Sequence, residues 1–253
     1  MGRLFAMGGL CLLLVWGAPG QVEPPSFEVV SVKAADGVRG VSITPRRSGN
    51  RISYITLVGM LIDYAYGVQP FQVSGGLPDG VYDMEARAAG SPSEDQIRLM
   101  LQTVLTDRFH LRLHRETKVM PVYDLVVAKG GSKLKAGQGG ELMLDGRPAP
   151  AGVGMWATRT GPRLVSKGGS MGQLAEALAR ALKGPVIDRT GITGTFDFDV
   201  RYALDTLPSQ PGSTADAAPL ETAIREQLGL RLERAKAPVE ILVIDRIEKP
   251  TPN

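Results

Sequence analysis

Ser170 stands in Gly168-Gly169-Ser170-Met171-Gly172, a G-x-S-x-G run between an expected strand and an expected helix. That is the setting in which an α/β-hydrolase presents a serine nucleophile. Its partners are missing: the only histidines, His110 and His114, precede Ser170, whereas that chemistry places histidine last. Gln173 follows three residues later, so Ser170 reads as the N-cap of a helix with a capping box, and Thr56 is expected to do the same in an equivalent earlier position. Ser132-x-x-Lys135 matches the serine signature of penicillin-binding enzymes, but it lies in a Gly-rich stretch without a later K-T-G. His110 and His114 have the i, i+4 spacing that binds zinc on a helix, yet a strand is expected here. On a strand the rings would stand ~13 Å apart, too far for one ion. Asp197 and Asp199, like Asp83 and Glu85, sit two apart at a spacing that suits acid/base work or calcium. Their alternation with Phe196, Phe198, Tyr82 and Met84 reads as a sheet with one face in the core and the other in water. The residues therefore assign no catalytic, cofactor-binding or metal-ligating side chain, and no cofactor is expected.

The elements that must position these side chains occur twice. Gly40 to Ile52 aligns without a gap against Gly152 to Leu164. Leu111-Arg112-Leu113-His114-Arg115 returns as Leu230-Arg231-Leu232-Glu233-Arg234, and Pro121 to Val127 returns as Pro238 to Ile244. Matches in one order at nearly constant offset indicate a duplicated module. Within each copy the pattern is β-α-β-β-α-β-β. A capping box at Ser91-Pro92-Ser93-Glu94 opens the second helix, and a closing hairpin joins Phe109–Leu113 to Val122–Val127, repeated as Leu230–Arg234 with Val239–Asp245. The expected class is α+β, a tandem duplication with helices packed on small mixed or antiparallel sheets. The aromatic run Tyr54, Tyr64, Tyr66, Phe71 reads mainly as core, with part of it lining a peptide groove.

The first twenty residues carry Arg3, the apolar run Leu10 to Trp16 and then Ala18-Pro19-Gly20. These are the parts of a signal peptide cleaved before Gln21. The apolar run is too short for a comfortable membrane span, and no second one follows. Export would remove Cys11, the single cysteine, and with it thiol chemistry and disulfides. The net charge of +3 falls to about +2 without Arg3, with both signs interleaved. Nucleic-acid binding needs a concentrated basic face, and none is visible.

The stretches FEVVSVK, TLVGMLIDYAYGV, FQVSGG, DQIRLMLQTVLTDRFHLRLHRETKVMPVYDLVVAKGG, PVIDRTGITGTFDFDV and EILVIDRIEKP together resemble a large family of secreted soil-bacterial proteins of unknown function. Arg246 stands where many of those relatives have histidine. Each repeat is also similar to the short N-terminal domain of secretins and TonB-dependent receptors, which implies periplasmic interaction modules rather than enzymes. The expected organisation is a signal peptide at 1–20, an N-terminal strand and lead-in at 21–39, repeat one at 40–129, a Gly-rich linker at 130–151, repeat two at 152–248 and a tail at 249–253. The expected function is an exported, periplasmic or extracellular, non-enzymatic binding or scaffold protein of the cell envelope. Its expected partner is another envelope protein or a peptide, met through an edge strand or a helix–sheet groove. Two alternatives stay open: an envelope hydrolase using Ser170 or the acidic strand pairs, and a sensory ligand-binding module.

Overall fold

The computed structural model describes residues 25–35, 37, 39–42, 44–138, 142–159, 161–203 and 218–250. The expected signal segment, its cleavage point and most of the Pro/Ser-rich stretch at 204–218 lie outside these residues. The fold is α+β, as expected. After a lead strand β1 (Val29–Ala35), the chain runs β2 (Arg46–Ser48), β3 (Arg51–Leu57), α1 (Val58–Tyr66), β4 (Val73–Ser74), β5 (Val81–Arg87), α2 (Glu94–Phe109) and β6 (Arg112–Val127). It continues through the short strands β7 (Lys135–Ala136), β8 (Met143–Leu144) and β9 (Arg147–Pro148). The first order then recurs: β10 (Gly152–Thr158), β11 (Gly161–Gly169), α3 (Met171–Leu182), β12 (Val186–Asp188), β13 (Phe196–Arg201), α4 (Leu220–Leu228) and β14 (Leu230–Arg246).

Each half builds an antiparallel sheet, ordered β1-β5-β3-β2 in the first and β7-β13-β11-β10 in the second. The lead strand of each sheet comes from chain preceding the half. The expected linker is thus partly structured, since β7 pairs with β13 and β8 with β9.

The expected closing hairpins are not present. Glu116-Thr117-Lys118-Val119-Met120 stays extended inside β6, and β14 likewise runs unbroken. The two long strands pair antiparallel with each other from Leu230↔Val127 to Arg246↔Arg112, and Met120 faces Ala237 near the middle. The physical reason is that the supposed turn holds no glycine, asparagine or aspartate to take a positive φ, while Thr117 and Val119 favour extended backbone. Pro121 is tolerated because its side of β6 faces outward: two residues on, the Tyr123 N–H donates away from β14 to the Pro185 carbonyl at 2.8 Å.

The central sheet is ordered β12-β6-β14-β4, so each half lends a short parallel strand to the long strand of the other. The cores follow the same exchange. Leu242, Ile244 and Ile247 from the end of the chain complete a first core of Ile52, Tyr54, Leu61, Ile97, Leu101 and Phe109. Leu125 and Val127 complete a second core with Leu164, Leu174, Leu178, Val200, Ile224 and Leu228. Between the cores the ribbon is exposed, and Val119 is 73% accessible.

The helix starts are only partly as expected. Ser93, not Ser91, caps α2: its hydroxyl accepts from the Gln96 N–H at 3.2 Å, and the Gln96 side chain accepts from the Ser93 N–H at 2.8 Å. Proline therefore precedes the cap instead of opening the helix. Thr56 caps nothing. It is buried, with its hydroxyl donating to the Leu57 carbonyl, and Leu57 holds the cap position without a side-chain bond.

Candidate ligand-binding cleft

Ser170 is an N-cap in the structure. Its hydroxyl accepts from the Gln173 N–H at 3.3 Å, and the Gln173 amide oxygen accepts from the Ser170 N–H at 3.1 Å. Its backbone is ordinary extended chain (φ −85, ψ 166), not the strained turn of a nucleophile elbow. The glycine directly before it has a packing cause. A bulge in β11 falls between Ser166 and Gly169, where the buried Ser166 hydroxyl donates to the Phe196 carbonyl and accepts from the Gly169 N–H. A Cβ on Gly169 would stand 2.4 Å from Val153 and 2.6 Å from the Ser166 hydroxyl.

The other expected residues are dispersed. His110 is not on a strand but at the C-cap of α2 in left-handed conformation (φ 50), while His114 on β6 pairs with Asp245 at 2.9 Å. Asp199 is less free than a solvated strand face implies, since it accepts a fork from Arg163 with Nε at 2.7 Å from Oδ1. Asp197 accepts from the Gly168 N–H at 2.6 Å and the Gln138 N–H at 2.8 Å, closing the bulge. Ser132 accepts from the Leu134 N–H, and Lys135 lies in β7 opposite Asp197. Among the described residues no three His, Cys, Asp or Glu converge on a metal position, and no helix is long and apolar enough to cross a membrane.

The arrangement brings a different set together. An open cleft of about 730 Å³ lies between the first half's helices and the second half's α3, within the ~300–1,000 Å³ of small-ligand sites. Helix α1 and the turn after it supply Met60, Asp63, Tyr64, Val68 and Pro70. The start of α2 supplies Glu94 and Arg98, and α3 supplies Glu176 and Arg180. Tyr64 is shared between wall and core: its ring meets Tyr54 edge-on at 6.1 Å, and the Arg98 guanidinium lies 5.1 Å from its centroid. Arg98 also reaches Glu94 at 3.0 Å. Gly67 leaves the room for this, because it ends α1 at φ 64 and a Cβ there would stand 2.9 Å from the Arg98 guanidinium. The groove expected from the aromatic run is thus partly realised, with Tyr64 on its wall and Tyr54 in the core.

Asp63 is the electrostatic anomaly of the cleft. Burial without a compensating cation raises its carboxyl to about 6. The raised value means that folding disfavours the ionised form, so stability declines as pH rises from about 4 to 6. The shift alone is worth about 3 kcal/mol, which solvent screening at a half-buried side chain reduces to about 1 kcal/mol. Asp63→Asn is therefore expected to stabilise the protein by about 1 kcal/mol at pH 7.5 and by nothing measurable at pH 3.5, read from urea unfolding at both pH values. A gain of equal size at both would show that ionisation is not the cause.

Sequence reasoning missed the charged members of this set. The usable signal was Asp63 itself, a lone acid inside the apolar run Leu57 to Val68. Glu176 and Arg180 gave none, because charged residues four apart on a helix look like any solvated face.

Comparison with known proteins adds a family and no activity. No curated protein and no solved structure matches the chain. The family model described as "Protein of unknown function (DUF3738)" matches residues 59–247, from α1 through the end of β14. That span leaves out β1, β2 and β3 and covers the rest of the first half, the second half, the ribbon that joins them and most of the cleft lining. The chain belongs to the DUF3738 family.

Proposed function

We propose that this protein is an exported, non-enzymatic binding protein of the cell envelope, built by tandem duplication, whose ligand occupies the cleft between α1, α2 and α3. The observation that carries the reading is the lining of that cleft, drawn from both halves. Interlacing of the long strands brings α3 of one half beside α1 and α2 of the other, so the lining is assembled only in the whole chain. The N-terminal segment with Arg3 and its apolar run supports export. Ser170 is held in a capping box, which supports binding over hydrolysis.

Two measurements test it. A serine-reactive phosphonate is expected to leave wild-type protein unlabelled; labelling that disappears in Ser170→Ala would establish the hydrolase reading instead. A low-molecular-mass fraction of envelope extract is expected to raise the melting temperature by several degrees, since ligand at 100 times its Kd adds about 2.7 kcal/mol. Arg180→Glu is expected to abolish that rise. A rise that survives the substitution would place the ligand elsewhere.

A further inference from the structure

The cleft holds charges of both signs, and they are unequally satisfied. On α2, Glu94 and Arg98 pair with each other, and Arg98 also lies against the Tyr64 ring. On α1, Asp63 is half-buried and, among the described residues, takes no ion pair or side-chain hydrogen bond. On α3, Arg180 stands one turn beyond Glu176, and neither takes a partner there or across the cleft among the described residues. Glu176 is exposed and stays hydrated, so it lacks the drive for a cation that desolvation gives Asp63. One desolvated carboxylate and one free guanidinium therefore face a single space from opposite halves. Met60, Val68 and Pro70 add apolar side chains to the same lining.

We propose that the cleft takes a short zwitterionic ligand, an amino acid or small peptide with free termini, its ammonium held by Asp63 and its carboxylate by Arg180. The chemistry follows from what each group lacks. An ammonium donates to a desolvated carboxylate and removes its burial penalty. A carboxylate accepts two parallel N–H bonds from a guanidinium fork. A simple amine would leave Arg180 unused, and a simple anion would leave Asp63 unpaired. The apolar part of the lining suits one or two aliphatic side chains. This inference rests on the cleft being the binding site.

Titration calorimetry on the whole mature protein at pH 7.5 tests it, with leucine, Ala-Leu-Ala, N-acetyl-Ala-Leu-Ala and Ala-Leu-Ala amide as probes. Leucine or the free tripeptide is expected to bind, and which of the two does so sets the length of the ligand. For the tripeptide, acetylation and amidation are each expected to weaken binding about tenfold or more. Asp63→Asn is expected to remove the sensitivity to acetylation and keep the sensitivity to amidation, with Arg180→Gln doing the reverse. Lowering the pH to 5 is expected to weaken the free tripeptide several-fold, because Asp63 is the cleft carboxyl raised to about 6. Glu94, Arg98, Glu176 and Arg180 are the other charged groups that line the cleft. The capped probes and the pH series use wild-type protein, so a variant that fails to fold leaves the test intact. Equal binding of free and capped peptides, or no binding by any probe, would overturn the proposal. If no probe binds while the extract still raises the melting temperature in an Arg180-dependent way, the cleft reading stands and the zwitterion falls.

Discussion

Expressed apart, residues 21–129 and 130–253 are expected to stay unfolded, and mixing them is expected to restore the native near-ultraviolet spectrum. Fragment one lacks Leu242, Ile244 and Ile247, which close its core, and it leaves the sixteen residues of β6 without the β14 ladder. Fragment two lacks Leu125 and Val127 and the parallel seat of β12 on β6. A strand stripped of its ladder exposes its backbone donors and acceptors as an open edge, and a core without its closing residues loses apolar burial worth ~25 cal/mol per Å². Either fragment giving a cooperative urea transition alone would show that the halves are independent. A module of ~90 residues is large enough in principle; what prevents independence is where its last strand goes.

The second large effect is expected at the two crossing leucines. Leu125 is fully buried and Leu242 is 1% exposed, each in the core of the half that does not contain it in sequence. Truncation to alanine at either position is expected to cost about 2–5 kcal/mol, a large share of the ~5–15 kcal/mol that holds a domain folded. Native-state hydrogen exchange carries the location. Leu125→Ala should speed exchange in α3 and α4, and Leu242→Ala in α1 and α2. Val119→Ala on the bare ribbon should stay within about 0.5 kcal/mol. Faster exchange confined to each leucine's own half would contradict the crossed cores.

The helices and their periodic apolar faces were legible in the sequence, because an amphipathic helix is written locally. Ser170 with Gln173 was read correctly for the same reason: a capping box is complete within four residues. The shift from Ser91 to Ser93 shows the limit of that kind of reading. Two serines two apart compete for one cap, and Gln96 served as well as Glu94 for the reciprocal bond. The pairing of β6 with β14 was beyond local reading, since alternation marks a strand without naming its partner. A hairpin across Glu116–Met120 and a strand through it share that alternation, and only the lack of turn residues separated them. The cleft was less legible still. Asp63 stood out in its apolar run, but what it faces is decided by α3, more than one hundred residues away, carried there by the exchanged strands.

Photo-crosslinking inside the cleft from both of its walls tests the central claim most directly. Benzoylphenylalanine in place of Val68 probes the first half's wall, and in place of Glu176 the second half's. With the protein produced in growing cells, mass spectrometry after irradiation should find one and the same adduct at both positions and none at Val119 on the exposed ribbon. Different adducts at the two positions, or adducts at Val119 alone, would contradict a single ligand site shared by the two halves.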